Sequence, residues 1–145
     1  MAVERADPYP NQNFRVDIGG ITSGDFTVVV LPEVCVDVIK YRGGTSVNLA
    51  VRDLPGLIRY NYVVLRRGIV GNLDLFKWID TVRTGTIDRR EVAINLLSED
   101  HTTIAITWTL TRAWPVKYSF GDLNAQGTDV AVEELVIAYE DMIMS

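Results

Sequence analysis

Hydrophobic and polar positions alternate with a period of two through most of the chain, the mark of strands that bury one face. Phe14, Val16 and Ile18 alternate with Arg15 and Asp17 and predict a first strand, closed by the turn signal Gly19-Gly20. Phe26 to Leu31 is a β-branched run that Pro32 interrupts. Proline has no N–H for a sheet ladder, so a bulge or strand end belongs there. Val34, Val36 and Val38 alternate with Cys35, Asp37 and Ile39 as far as Tyr41. Arg42-Gly43-Gly44 breaks the pattern, and Ser46 to Val51 resumes it as a shorter strand. Leu54-Pro55-Gly56-Leu57 reads as a turn, followed by a strand from Tyr60 to Arg66.

One segment has helical spacing. Asn72 is placed as an N-cap, Asp74 sits where the helix dipole favours an acid, and Leu75, Trp78, Ile79 and Val82 share a face. Gly85 stands where a left-handed C-terminal residue is wanted. Downstream, Val92, Ile94 and Leu96 lead into Ser98-Glu99-Asp100-His101 and a return strand. That strand sets Ile104, Ile106, Trp108 and Leu110 on one face, with Thr103, Ala105, Thr107, Thr109 and Thr111 on the other. Trp114-Pro115 opens an irregular stretch through Gly121, Asn124 and Gly127. Val130 to Glu140 reads as a strand with a bulge at Glu133-Glu134, against a short helix as the alternative.

About seven short strands with one helix predict a mainly β fold, a sandwich or barrel. Residues 1–13, with Pro8, Pro10 and Asn11-Gln12-Asn13, show no apolar period and form an N-terminal arm that a neighbour could order. Residues 14–145 then make a single domain, a size that fits one hydrophobic core.

Composition narrows the function. Nineteen acids against fourteen bases leave a net charge of −5, which argues against a nucleic-acid partner, since such binding draws on Lys/Arg excess. Cys35 is the single cysteine, so neither an intrachain disulfide nor a thiolate metal cluster can form. Met1 to Pro8 carries charges where a signal peptide needs an apolar stretch, and no run suggests a membrane span. These features read as a soluble protein made in the cytoplasm, without an integral membrane segment.

An enzyme needs a constellation of groups, and the residues supply none. His101 is the only histidine and follows Glu99-Asp100 at a hairpin tip, a poor platform for positioned proton transfer. Cys35 lies between Val34 and Val36 with no cation beside it, as a small hydrophobe would. The acid pairs Glu99-Asp100, Glu133-Glu134 and Glu140-Asp141 are adjacent, and adjacent strand residues point to opposite faces. Gly43-Gly44 lacks the spacing of a phosphate-binding loop. No catalytic, cofactor-binding or metal-binding residue is assigned. Arg66-Arg67 and Arg89-Arg90 read either as solvated strand ends or as ion pairs across a subunit boundary.

Apolar residues are in surplus. Val28 to Leu31 and Val34 to Ile39 are apolar on both faces, although one small sandwich covers only one face of each sheet. Open sheet edges add a second unmet need. Both point to an assembling protein. The alternative is a monomeric β-sandwich binding module of carbohydrate or adhesin type, which calls for an exposed aromatic platform.

Several motifs then resemble, in order, the phage tail tube family typified by the T4 tail tube, which includes inner tubes of extracellular contractile injection systems. Asn13 to Ile18 is similar to that family's opening strand, and Val38-Ile39-Lys40-Tyr41-Arg42-Gly43-Gly44 to its strand end. Leu54-Pro55-Gly56-Leu57-Ile58-Arg59-Tyr60, Val64-Leu65-Arg66-Arg67-Gly68 and Leu75-Phe76-Lys77-Trp78 follow. Ala113-Trp114-Pro115-Val116-Lys117-Tyr118, Asp122-Leu123-Asn124-Ala125 and Val130 to Leu135 complete the series. Val30-Leu31-Pro32 departs from the family's usual Ser-Gly-Leu.

The resemblance implies a tail-tube (Hcp-like) architecture, with sheets joined between subunits into a ring barrel. It implies homohexameric rings stacked into a tube around a channel for cargo, tape-measure protein or genome. The implied partners are a contractile sheath, baseplate or hub proteins and a terminal cap, in a phage tail or extracellular phage tail-like particle. No enzyme activity and no cofactor are implied. The assembly contacts it suggests are Tyr41, Arg42, Gly43, Gly44, Leu54, Pro55 and Gly56 between rings or toward the sheath. Trp114, Pro115, Asp122, Leu123 and Asn124 would seat a neighbouring subunit, with a place in the subunit's own core as the alternative for Trp114.

Overall fold

Strands form where the alternation is cleanest, and the computed structural model describes residues 2–21, 26–44 and 50–145. In chain order the strands are β1 (Phe14–Ile18), β2 (Val28–Val30), β3 (Val34–Tyr41), β4 (Arg52–Tyr60) and β5 (Val63–Gly68). The helix α1 (Asp74–Asp80) follows, then β6 (Arg90–Leu97), β7 (Ile104–Phe120), β8 (Val132–Ala138) and β9 (Asp141–Met144). The main sheet runs β1-β6-β7-β8-β5-β2, with β9 added alongside β7, and every pair is antiparallel. Among the described residues β3 and β4 pair only with each other, as a separate two-stranded ribbon.

The core lies inside the curl of the main sheet, under α1. Val16, Ile18, Val92, Ile94 and Leu110 meet Val63, Leu65, Leu135 and Ile137 there, and Leu75 and Trp78 cap them. Full burial of each such side chain contributes roughly 1.5–3 kcal/mol, so this cluster rather than any single bond holds the subunit together. The Trp78 indole N–H donates to the Asp88 carbonyl at 2.7 Å, which lets a large polar-tipped ring sit inside. The N-cap is Leu73 rather than Asn72, and no side chain caps the helix. Asn72 stands one residue earlier, where its side-chain oxygen accepts from the Asp74 N–H at 2.9 Å and shapes the entry turn. Gly85 takes φ +87°, closing the turns after the helix.

The curl does not close among the described residues. β1 pairs only with β6 and β2 only with β5, so each leaves a free edge. An apolar cleft of about 380 Å³ separates the two, lined among others by Phe14, Val28, Val29, Leu31 and Trp108, with Tyr9 and Asn11 of the arm. The arm lies against its own subunit. The Val3 N–H donates to the Ala105 carbonyl at 2.9 Å, and the Arg5 guanidinium makes two 2.8 Å bonds to the Glu99 carboxylate.

Several expectations need correction. Leu54-Pro55-Gly56-Leu57 is not a turn but the middle of β4, with Pro55 opposite Val38. The pairing slips between Val36 and Val38, so Gly56 and Leu57 together face the single residue Asp37 as a bulge. Proline is tolerated there because the ribbon has an unpaired outer edge. Trp114-Pro115 does not open a loop either. β7 continues through both to Phe120, bending at Arg112 (φ 52°) and at a second bulge beside Val116. The strand can therefore pair with β6 and β9 first and then pass to β8.

An irregularity near Ala105 buries that residue and turns Ile104 outward, against the expected face. The strand expected from Tyr60 to Arg66 is broken at Asn61-Tyr62, where the ribbon joins the body. β8 keeps an even register with β5, so the bulge assigned to Glu133-Glu134 belongs to β7. β9 was not predicted. The strand read from Ser46 to Val51 falls on residues 46–49, outside the described residues, and Ala50 and Val51 are not in a strand.

Candidate functional site

The ribbon is the most unusual surface of the subunit. Val34, Val36, Val38, Ile39, Leu57 and Ile58 are all exposed, Leu57 at 78% and Val38 and Ile58 each at 59%. Because successive residues alternate in direction, this places apolar groups on both faces of one ribbon. Four of its charged residues pair internally: Lys40 with Asp53 at 2.6 Å and Arg59 with Asp37 at 2.6 Å. A two-stranded hairpin is marginal by itself, and one greasy on both faces has an unmet demand for cover.

The proposed contact residues fall in three places. Tyr41, Arg42, Gly43 and Gly44 lie at the far end of the ribbon, with Arg52 opposite Tyr41, and Leu54 and Pro55 lie further along β4, opposite Ile39 and Val38. Gly56 has a reason internal to the ribbon, since a Cβ there would come within 3.0 Å of the Asp37 carbonyl oxygen. Trp114 and Pro115 sit in β7 against Ala138 and Ile137 of β8. Pro115 is buried within the subunit, while Trp114 is half-buried with the Arg89 guanidinium stacked 4.5 Å from its ring. Asp122, Leu123 and Asn124 form an exposed loop, with Leu123 at 85%. The Asn124 side chain accepts from the Gln126 N–H at 3.0 Å and holds that loop in its turn.

Strand direction relates these places. β5 leaves the ribbon base at Val63 and ends at Gly68, opposite Val132 of β8, and the next residue of β8, Glu133, pairs with Phe120 of β7. The ribbon base and the 121–131 loop are therefore at opposite ends of the sheet. At the loop end, Ile69, Leu73, Phe76 and Phe120 are exposed around a groove of about 320 Å³. Asp74, Asp122 and Asp129 belong to this end as well. Sequence reading missed this second apolar surface, because Leu73 and Phe76 fall on no strand alternation and Phe120 closes a strand taken for a loop.

The chemical groups offer little for catalysis. His101 is exposed at the β6–β7 hairpin tip, in a left-handed turn with φ 62°. Its neighbour Asp100 accepts from Ser98, from the Thr102 and Thr103 N–H groups and from the Thr103 hydroxyl, which together hold its carboxyl far below the usual range. The Cys35 thiol donates to Glu33 at 3.4 Å, and that bond pushes its pKa up, away from a reactive thiolate. Among the described residues no three His, Cys, Asp or Glu side chains are grouped to hold a metal. No helix is long and apolar enough to cross a membrane among them.

The basic pairs find partners within the chain: Arg66 meets Glu134 at 2.6 Å, Arg67 meets Glu133 in the interior, Arg89 meets Glu140, and Arg90 meets Asp88 at 2.7 Å. The tryptophans do not make an exposed platform: Trp78 is core and Trp108 and Trp114 are half-buried.

Comparison with known proteins gives a consistent set of likenesses. The family model "T4-like virus tail tube protein gp19" matches residues 10–143. A chain of the 6-fold symmetrised anti-feeding prophage (AFP) baseplate is 26% identical with a TM-score of 0.86, covering 97% of each chain. A chain of the PVC sheath-tube complex, an extracellular contractile injection system in its extended state, is 26% identical with a TM-score of 0.85. That match covers 95% of this chain and 91% of the other. Hcp1 from Flavobacterium johnsoniae shares the fold at 17% identity and a TM-score of 0.56, over 90% and 93% of the two chains. No curated protein sequence matches.

Proposed function

The chain belongs to the T4-like virus tail tube protein family and is a structural tube subunit, and from that premise we propose how its surfaces build the tube. Six copies form a ring by joining the free edges of β1 and β2, directly or through other strands, so that no edge remains open. The 6-fold symmetry of the AFP baseplate supports that number. Residues 14–145 form the tube domain of each copy, and residues 1–13 its arm.

Rings then stack head to tail. The ribbon of one copy meets the loop end of a copy in the next ring, setting apolar faces together and bringing Arg42 and Arg52 toward Asp74, Asp122 and Asp129. Such a contact uses two different surfaces and does not close on itself, so it propagates into a filament. The sheath is the outer partner, and baseplate and cap proteins end the tube, as the AFP and PVC particles suggest. Cargo, tape-measure protein or genome travels inside, in a phage tail or phage tail-like particle. No catalytic step or cofactor enters this reading.

The observation that carries the proposal is the ribbon, apolar on both faces and without cover in its own subunit. The variant Leu57→Asp/Ile58→Asp tests it by sedimentation. Both positions are exposed, so the subunit should fold with its stability changed by only about 0.5 kcal/mol. Rings that no longer stack would support the proposal. Stacks as long as those of the unaltered chain would contradict it.

A further inference from the structure

The ribbon's free apolar faces raise the question of what aims it. Its two strands enter the body through short links at residues 31–33 and 61–62, where the Asn61 N–H donates to the Glu33 carbonyl at 3.1 Å. Tyr60, the last residue of β4, donates its hydroxyl to Asp141 Oδ1 at 2.9 Å. That same oxygen accepts from the Met142 N–H at 2.9 Å, so the acceptor is fixed by the start of β9. On the other side Tyr139 donates its hydroxyl to the Asn61 carbonyl at 2.6 Å. The two rings lie 5.5 Å apart, tilted by 46°. Tyr139 is buried at 8% exposure and belongs to the core, whereas Tyr60 packs against that core from the ribbon. Beyond this cluster, the described side-chain bonds of the ribbon are made within it or, from Cys35, to Glu33 in its own link.

We infer that Tyr60, Tyr139 and Asp141 are positioning residues, a latch that sets the angle at which the ribbon leaves the body so that it meets the next ring without searching. The inference rests on the head-to-tail reading above and adds the residues that govern it. A ribbon swinging on two short links would lose orientational freedom on docking, and that loss would weaken every contact it makes. A pre-aimed ribbon has met the cost during folding. The latch also ties the ribbon to β9, so the C-terminal strand and the stacking contact act together although they lie on different surfaces.

The test uses Tyr60→Phe/Tyr139→Phe, which keeps both rings and removes both hydroxyls. Ribbon angle is read on free subunits by pulsed electron paramagnetic resonance, with nitroxides at Arg42→Cys and Lys117→Cys in a Cys35→Ser background. We expect the distance distribution to broaden at least twofold while the core melts as before. Without labels, the double variant should need a concentration roughly five- to tenfold higher to form tubes, the size expected from two lost hydrogen bonds. If Tyr139→Phe also loosens the core, Tyr60→Phe alone carries both readings at about half the effect. An unchanged width, or tubes forming at the same concentration, would overturn the latch while leaving the tube reading intact. Failure of the unaltered chain to assemble at all would overturn both.

Discussion

Arg67 of β5 and Glu133 of β8 form an ion pair at directly opposed positions, with 3% and 4% of their side chains exposed. They are the third rung of an inward ladder whose other rungs are Val63 with Ile137 and Leu65 with Leu135. One residue along, Arg66 and Glu134 form the same pair on the wetter face, with side-chain exposures of 49% and 27%. Tyr118 also donates to Glu133, and burial, with that bond second, pushes its phenol up to about 12. Removing one partner of a buried pair strands the other charge, at about 3–5 kcal/mol, while an exposed pair contributes about 0–1 kcal/mol. Glu133→Gln should therefore cost about 3 kcal/mol or more in urea unfolding, and Glu134→Gln under about 1 kcal/mol.

The arm should respond to acid. Arg5 holds the Glu99 carboxyl below its ordinary value. A depressed folded pKa gives a contribution that is complete above the unfolded carboxylate pKa and lost as pH falls through the folded one. Amide protection at Val3, whose N–H bonds Ala105, should hold at neutral pH and drop below the usual carboxylate range. Glu99→Gln should remove that pH dependence. The measurement is hydrogen exchange corrected for intrinsic rate.

Two glycines separate folding from assembly. Nothing lies within 4 Å of a Cβ built on Gly44, whereas one on Gly56 meets the Asp37 carbonyl at 3.0 Å and the Ile39 side chain at 3.2 Å. Gly44→Leu should leave the melting temperature of the free subunit unchanged and block stacking, leaving single rings under the microscope. Gly56→Leu should disturb the ribbon itself, seen as lost amide protection across β3 and β4.

Trp78 and Trp114 are expected to differ in kind. Trp78→Ala empties a core position and should cost about 3–5 kcal/mol in chemical denaturation. Trp114 is half-buried under Arg89, so its replacement by Ala should cost nearer 2 kcal/mol, and the subunit should remain folded. Comparing ring formation of the folded Trp114→Ala subunit with the unaltered chain reads any contact role directly.

Legibility in the sequence followed the reach of each signal. Phe14–Ile18 and the hairpin around Asp100 were readable because burial on one face leaves a period of two, and Val34–Tyr41 because its β-branched residues alternate, although neither face is covered in the subunit. Leu54-Pro55-Gly56 and Trp114-Pro115 were misread because proline and glycine mark bulges as readily as turns. Only the partner strand decides between the two, and Val38 and Ile137 are distant in the chain. The apolar surplus in Val34 to Ile39 was visible, and the family resemblance was carried by motif order. The loop-end groove was not, since nothing in Leu73 or Phe76 says whether a helix side chain faces inward.

The central claim is that this subunit completes its surfaces only with copies of itself. Negative-stain electron microscopy of the purified chain over rising concentration measures this most directly. Six-membered rings stacking into tubes are the predicted result. Particles the size of one subunit at every concentration, folded and stable, would contradict it.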